Sequence, residues 1–271
     1  MSTLEALLLG VIQGLTEFLP VSSSGHLVLG RHFLGLTQSS LAFDVVVHVA
    51  TLMATLFYYR VTLKQMLVES LVFARGGEYS LSVVRNNESL WLLLLVVVAS
   101  VPTGIIGLGA KDLIEPLFTS PKFSAAMLIF TGIVLLTTLK DRSTEVGLLA
   151  FGLAPALLIG VVQGFAVLPG ISRSGTTIAC ALLLGLNRDS AARFSFLLAV
   201  PAIFGALLLE LGELSALSAE AMLPVGAGFL SALVSGFFAL VLLVRLIQRG
   251  RFYLFSFYLL PVGLFGVLWL P

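Results

Sequence analysis

A chain of 271 residues that is 58 % hydrophobic and only 11 % charged lies far from the roughly 25 % charged composition of a soluble domain. A formal net charge of +1 without any basic cluster leaves no footprint for nucleic acid, and the period-2 alternation of a membrane β-barrel is missing. What remains is an all-α integral membrane protein, in which the single cysteine, Cys180, reads as a small packing residue because one thiol closes no disulfide within a chain.

From the N-terminus, residues 4–29 form an apolar stretch broken in its middle. It carries Gln13 and Glu17 and no basic leader, so it does not read as a cleaved signal peptide. Residues 43–59 are the first unbroken span. The longest polar stretch, 72–88, is expected as a cytoplasmic loop. Spans at 90–109 and 123–139 follow, separated by Lys111, Asp112 and Glu115, which are expected in a solvated outer loop. A second broken stretch covers 147–185, and spans at 194–211, 222–244 and 252–270 complete the chain. Each unbroken run approaches the ~20 residues that cross about 30 Å of hydrocarbon.

The two broken stretches are near-copies. Residues 10–25 read GVIQGLTEFLPVSSSG and residues 160–175 read GVVQGFAVLPGISRSG, with seven of sixteen positions identical. Pro20 and Pro169 match after a one-residue slip. Each copy is an apolar half-helix, a proline, a Ser/Gly-rich turn and more apolar chain. Irregular backbone at membrane depth survives only where protein buries it or a cavity wets it. Two such breaks at corresponding places in two halves point to a binding site at the repeat interface.

The positive-inside rule separates two topologies. If both broken stretches are re-entrant hairpins, six spans put eleven basic residues on one face and three (Arg31, Lys111, Lys122) on the other. If both cross once, the same residues divide six against eight, with no bias. The re-entrant arrangement follows. It places both termini on the non-cytoplasmic side and makes the repeats, about 4–59 and 147–211, inverted within a single membrane domain of residues 1–271. Their Ser-rich tips are expected to meet near the midplane.

Arg173 sits in the second turn, between Ser172 and Ser174 and before Gly175. A guanidinium cannot shed its charge, and an intramembrane charge needs a partner. That partner is either a carboxylate such as Glu17, pinning the hairpins together, or an anionic ligand, for which phosphate suits the planar fork of arginine. Hydroxyls and glycines ahead of a new helix, expected from Thr176, form a helix-start anion site. The first turn gathers Glu17, Ser22, Ser23, Ser24 and His26, the parts for activating a nucleophile or holding a cation. Ser22 and Ser24 also suit plain helix capping. Ser23 stands at the position equivalent to Arg173. Gln13 lies one turn before Glu17 on the same helix face, and Gln163 or Arg173 is the expected partner of Glu17. Asp44 and His48, an i, i+4 pair, either extend the site or bond to each other.

QGLTEFLPVSSSGH from Gln13 and PGISRSGTT from Pro169 resemble the two signature segments of the undecaprenyl-diphosphate phosphatases of the bacitracin-resistance family. FDVVVHVATL at 43–52 and FSFLLAVP at 194–201 fit the same family, and the similarity spans essentially the whole chain. The resemblance implies removal of the terminal phosphate from a C55 isoprenyl diphosphate at the bacterial plasma membrane. That reaction recycles the lipid carrier for peptidoglycan and other surface polymers and confers bacitracin resistance. The family's functional residues carry over as Glu17, Ser23, His26 and Arg173; its first motif permits Glu or Gln at Gln13. The resemblance also implies a divalent cation, Mg2+ or Ca2+, held mainly by diphosphate oxygens with Glu17 as a metal-binding carboxylate.

On this reading Ser23 is the nucleophile with Glu17 or His26 as base, and water held by those two residues is the alternative attack. Arg173, Ser172, Ser174, Gly175 and Ser22 would bind phosphate, supported by Gln13, Gln163, Asp44 and His48. The expected partners are the polyprenyl diphosphate and the surrounding lipids, and the chain could pair as a homodimer. The rival function is a transporter that flips a polyprenyl phosphate, since inverted repeats with broken helices also mark transporters. An ion- or proton-coupled carrier would use Glu17 and His26 but leave Arg173 without a task.

Overall fold

The computed structural model describes residues 1–36, 41–76, 79–139, 146–214 and 219–270. Among them the regular secondary structure is all helical, apart from one isolated bridge between Val146 and Leu186. In chain order the helices are α1 Thr3–Phe18, α2 Ser23–Phe33, α3 Leu41–Tyr58, α4 Arg60–Gly76, α5 Leu81–Asn86, α6 Glu88–Gly109 and α7 Lys111–Ile114. Then come α8 Pro121–Leu136, α9 Leu153–Phe165, α10 Arg173–Leu183, α11 Arg188–Leu214, α12 Met222–Gln248 and α13 Ser256–Trp269.

Five segments are long and apolar enough to cross a membrane: Glu88–Gly109, Pro121–Leu139, Arg188–Leu209, Met222–Gln248 and Phe252–Trp269. A sixth arises if α3 and α4, bent by 72° at Tyr59, count as one. Large apolar side chains such as Ile105, Leu223, Phe238 and Trp269 point outward, which is tolerable when the surroundings are hydrocarbon rather than water. The protein is a multi-pass membrane protein.

The stretch 72–88, expected as a loop, differs. Helix α4 runs on to Gly76, and α5 occupies Leu81–Asn86. Polar composition there marks exposure, not an absence of helix. Asn87 closes the segment as the cap of α6, its side chain accepting from the N–H groups of Ser89 and Leu90 at 3.0 and 3.2 Å. Lys111, Asp112 and Glu115 are exposed as expected, but Lys111 and Asp112 belong to the single helical turn α7.

Both broken stretches fold back on themselves. Gly30 of α2 faces Ile12 and Leu9 of α1, so closely that an added methyl would stand 3.3 and 3.4 Å from them. In the second stretch the N–H of Asn187 donates to the Val146 carbonyl at 2.9 Å, bringing the end of the unit back beside its beginning. The longer helices then exchange partners: α1 packs on α12, while α9 packs on α6. Helices α3 and α11 pack together, as do α8 and α13, and both α2 and α10 rest on α8.

Small residues make these exchanges possible. A Cβ at Gly10 would overlap Ser231 and the Gly228 carbonyl of α12, and one at Gly160 would overlap the Ala99 carbonyl of α6. Hydroxyls stitch the same seams: Ser231 donates to the Leu7 carbonyl at 3.1 Å, and Thr103 to the Gly160 carbonyl at 2.8 Å. This is small-residue packing of membrane helices, in which backbones approach because no side chain intervenes. It explains why Gly10/Gly160 and Gly14/Gly164 recur in both copies. Gly160→Leu is therefore expected to cost about 3 kcal/mol, the upper end for overpacking, read as a lower unfolding temperature in detergent. Gly104→Ala, on the same α6 with nothing within 4 Å, should leave that temperature unchanged or raise it slightly.

Candidate active site

Pro20 cannot donate the next helical hydrogen bond, so α1 ends at Phe18 and the chain turns through 19–22. Ser22 then caps α2, accepting from the Gly25 N–H at 3.2 Å. Ser172 caps α10 in the same way, from Gly175 N–H at 3.0 Å. In both copies the flanking hydroxyls pair at 3.3 Å, Ser22 with Ser24 and Ser172 with Ser174. Helix α10 thus begins at Arg173, three residues before the expected Thr176, because the serine supplies the cap that starts it. Ser23 and Arg173 each occupy the first helical position.

The two turns are not equally relaxed. Ser22 has φ 70°, ψ 101°, and is the one non-glycine with positive φ among the described residues. Such a conformation costs about 1–3 kcal/mol and concentrates at functional sites. In the second copy Gly170 carries the positive φ, 97°. There Thr131 of α8 braces the turn, donating to the Gly170 carbonyl at 3.0 Å and accepting from Ser172 N–H at 3.1 Å.

Glu17, at the end of α1 and only 5 % exposed, holds the two tips together. Its Oε2 accepts from Ser23 Oγ at 2.6 Å and from Gln13 Nε2 at 3.0 Å. Its Oε1 forms an ion pair with Arg173 Nη2. A serine and a permanent cation 150 residues apart in the sequence therefore hang on one carboxylate. The other terminal nitrogen, Arg173 Nη1, is buried with no hydrogen-bond partner. An orphaned donor on a cation costs more than a neutral one, and the starts of α2 and α10 add partial positive charge beside it. The arrangement lacks an acceptor, and an anion supplies one.

Two histidines border this centre. His26 Nδ1 is 2.9 Å from the Ser22 carbonyl and Nε2 is 2.8 Å from the hydroxyl of Tyr258 on α13. His48 Nε2 stands 3.8 Å from Glu17 Oε2, while its Nδ1 is 2.8 Å from the Asp44 backbone carbonyl. The Asp44 carboxylate turns away to pair with Arg31 of α2. His48 thus extends the site, and Asp44 ties the first hairpin to α3.

The remaining candidates make contacts within the scaffold. Gln163 donates to Thr103 and to the Leu198 carbonyl, both at 3.3 Å, so its amide is engaged away from Glu17. Ser174 donates to the Phe18 carbonyl at 3.0 Å and fixes α10 to the end of α1. The N–H of Gly175 is taken by the Ser172 cap. Tyr258 and Thr131 carry no signal in the sequence, being single polar groups in apolar runs.

With this geometry in place, comparison with known proteins decides the family. The sequence model of the family described as Bacitracin resistance protein BacA matches residues 6–265, both hairpins included. The chain belongs to the BacA family. Among its relatives is a protein of Desulfosudis oleivorans, 50 % identical over 267 residues covering 97 % of each chain. One from Desulforapulum autotrophicum is 43 % identical over 99 % of this chain and 98 % of its own. One from Carboxydothermus hydrogenoformans is 39 % identical over 97 % and 95 %. All three are described as undecaprenyl-diphosphatase. The residues around Glu17 and Arg173 fall inside the matched region.

Proposed function

We propose that this BacA-family protein hydrolyses undecaprenyl diphosphate to undecaprenyl phosphate and inorganic phosphate, as the names of its relatives describe. The observation that carries the reading is the shared grip of Ser23 and Arg173 on Glu17. A carrier would need the cation and the carboxylate, but has no use for a serine hydroxyl hydrogen-bonded to a base.

The chemistry follows from these contacts. The orphaned Nη1 of Arg173 meets the incoming diphosphate first, and the guanidinium then moves its fork from Glu17 to phosphate oxygens. Glu17, relieved of its counter-charge, becomes a stronger base as substrate arrives. It takes the Ser23 proton while Ser23 Oγ bonds to the terminal phosphorus and the bridging P–O bond breaks, releasing undecaprenyl phosphate. In the second half, water bonds to phosphorus and gives its proton to His26 Nε2 while the P–Oγ bond breaks, Ser23 Oγ recovers its proton from Glu17, and inorganic phosphate leaves. Phosphoryl transfer of this kind rests on positioning and charge stabilisation, which the two capped helix starts supply.

Among the described residues no group of three or more His, Cys, Asp or Glu side chains could hold a metal ion. A hard divalent cation takes about six or more oxygen ligands. Glu17 and the buried, unpartnered Oε1 of Gln13 fit as two of them, leaving the rest to the diphosphate and water. Such an ion, when bound, supplies further positive charge against the phosphate oxygens.

The fold-back contacts at Gly30/Leu9 and Asn187/Val146, with the eleven-to-three distribution of basic residues, support two inverted re-entrant hairpins among six spans. On that reading the protein lies in the bacterial inner membrane with termini and pocket toward the non-cytoplasmic side, and recycles the lipid carrier for wall polymers. Purified protein in detergent, given farnesyl or C55 diphosphate, is expected to release inorganic phosphate; release of none would leave the flippase. Rapid quench should trap phosphate on Ser23, and Ser23→Ala with near-normal turnover would end the serine role.

A further inference from the structure

The hydrogen bonds around His26 settle which of its nitrogens carries the proton. A backbone carbonyl only accepts, so the nitrogen 2.9 Å from the Ser22 carbonyl, Nδ1, is the N–H. In the neutral ring Nε2 is then a bare lone pair, and the Tyr258 hydroxyl at 2.8 Å is the group that donates to it. The two rings also stack, with centroids 5.7 Å apart and planes 19° from parallel. Tyr258 comes from α13, 232 residues along the chain, and its own ring is half exposed. Nothing else about Tyr258 calls for its hydroxyl at that spot, since its ring contact alone would serve packing.

We infer that Tyr258 is a positioning residue for the reaction: the Ser22 carbonyl sets the Nδ1–H tautomer of His26, and the Tyr258 hydroxyl, donating to Nε2, holds the ring so that its basic lone pair faces α13. The inference rests on the phosphatase reading and deepens it. The phenol occupies the place of a donor. When a water enters between phenol and imidazole, its O–H meets a lone pair already aimed, and the proton moves to Nε2 as the water oxygen bonds to phosphorus. The same bond separates the labour of the two candidate bases. Glu17, at 2.6 Å, serves Ser23; His26, turned toward Tyr258, serves the water.

Tyr258→Phe keeps the stacked ring and removes the hydroxyl, so it isolates the hydrogen bond. Turnover is expected to fall about tenfold, the size of one hydrogen bond to a reacting group, with KM changed by less than about twofold. In a His26→Ala background the same substitution should cost nothing further, because a positioning residue acts only through what it positions. Nitrogen NMR of labelled imidazoles gives a readout independent of turnover. With three histidines in the chain, His26 should show the Nδ1–H tautomer in both proteins, with its Nε2 resonance shifted in Tyr258→Phe by the loss of its hydrogen-bond donor. Unchanged turnover in Tyr258→Phe, losses that add to those of His26→Ala, or an unmoved Nε2 resonance would each overturn the inference. If the wild type releases no phosphate at all, the phosphatase reading fails, and the NMR comparison still decides the Tyr258–His26 hydrogen bond.

Discussion

Arg173→Ala is expected to lower phosphate release about 10^3-fold, within the range seen when a cation that neutralises a transferring phosphoryl group is removed. Two losses coincide. The substrate loses its fork of donors, and Glu17, 5 % exposed, loses its counter-charge. Removing one partner of a buried ion pair destabilises by about 3–5 kcal/mol, a figure to be discounted here because the Arg173 side chain is 20 % exposed. Arg173→Ala should therefore unfold at lower temperature in detergent, and Arg173→Ala with Glu17→Gln should recover the temperature but not the turnover. Arg173→Lys retains charge without the planar fork and should recover little activity. Full activity in Arg173→Lys would sink fork-like phosphate binding.

Much of this site was legible in the residues because it is encoded twice. Matching the two SxSG turns puts Ser23 opposite Arg173, and the structure brings them onto one carboxylate. Five of the spans also coincide with apolar runs, since hydrocarbon imposes a length that composition reveals. The misreadings have local causes. Ser and Gly suggest a turn, yet at the cap and first positions of α10 they begin the helix, so its start lay at Arg173 rather than Thr176. The spacing of Asp44 and His48 says they share a face, but says nothing of Arg31, which comes from α2 and claims the carboxylate. Tyr258 reaches His26 across 232 residues, and no local pattern foretells such a contact. Polar residues in 72–88 were read as loop because charge marks solvent, and helices α4 and α5 are compatible with solvent.

Glu17→Gln separates catalysis from binding in opposite directions. The amide keeps the size of the carboxylate and can still hydrogen-bond Ser23, but it cannot take a proton, so turnover is expected to fall by about 10^2–10^4-fold, the contribution of a positioned general base. Affinity for inorganic phosphate should meanwhile rise. In the wild type Arg173 must leave Glu17 to reach phosphate, and an ionised hydrogen-bond partner contributes roughly 1.5–3 kcal/mol. Without that competitor the Kd for phosphate, measured by titration calorimetry in detergent, should tighten about tenfold. If Glu17 were only a strut holding the hairpins together, its loss would loosen the site, and phosphate affinity and turnover would fall together. A metal held through Glu17 predicts weaker phosphate binding as well, and only in the presence of the divalent ion. Tighter binding with the ion chelated, together with collapsed turnover in its presence, leaves one reading: Arg173 is lent to Glu17 until a phosphate claims it, and the base is released by the substrate it will act upon.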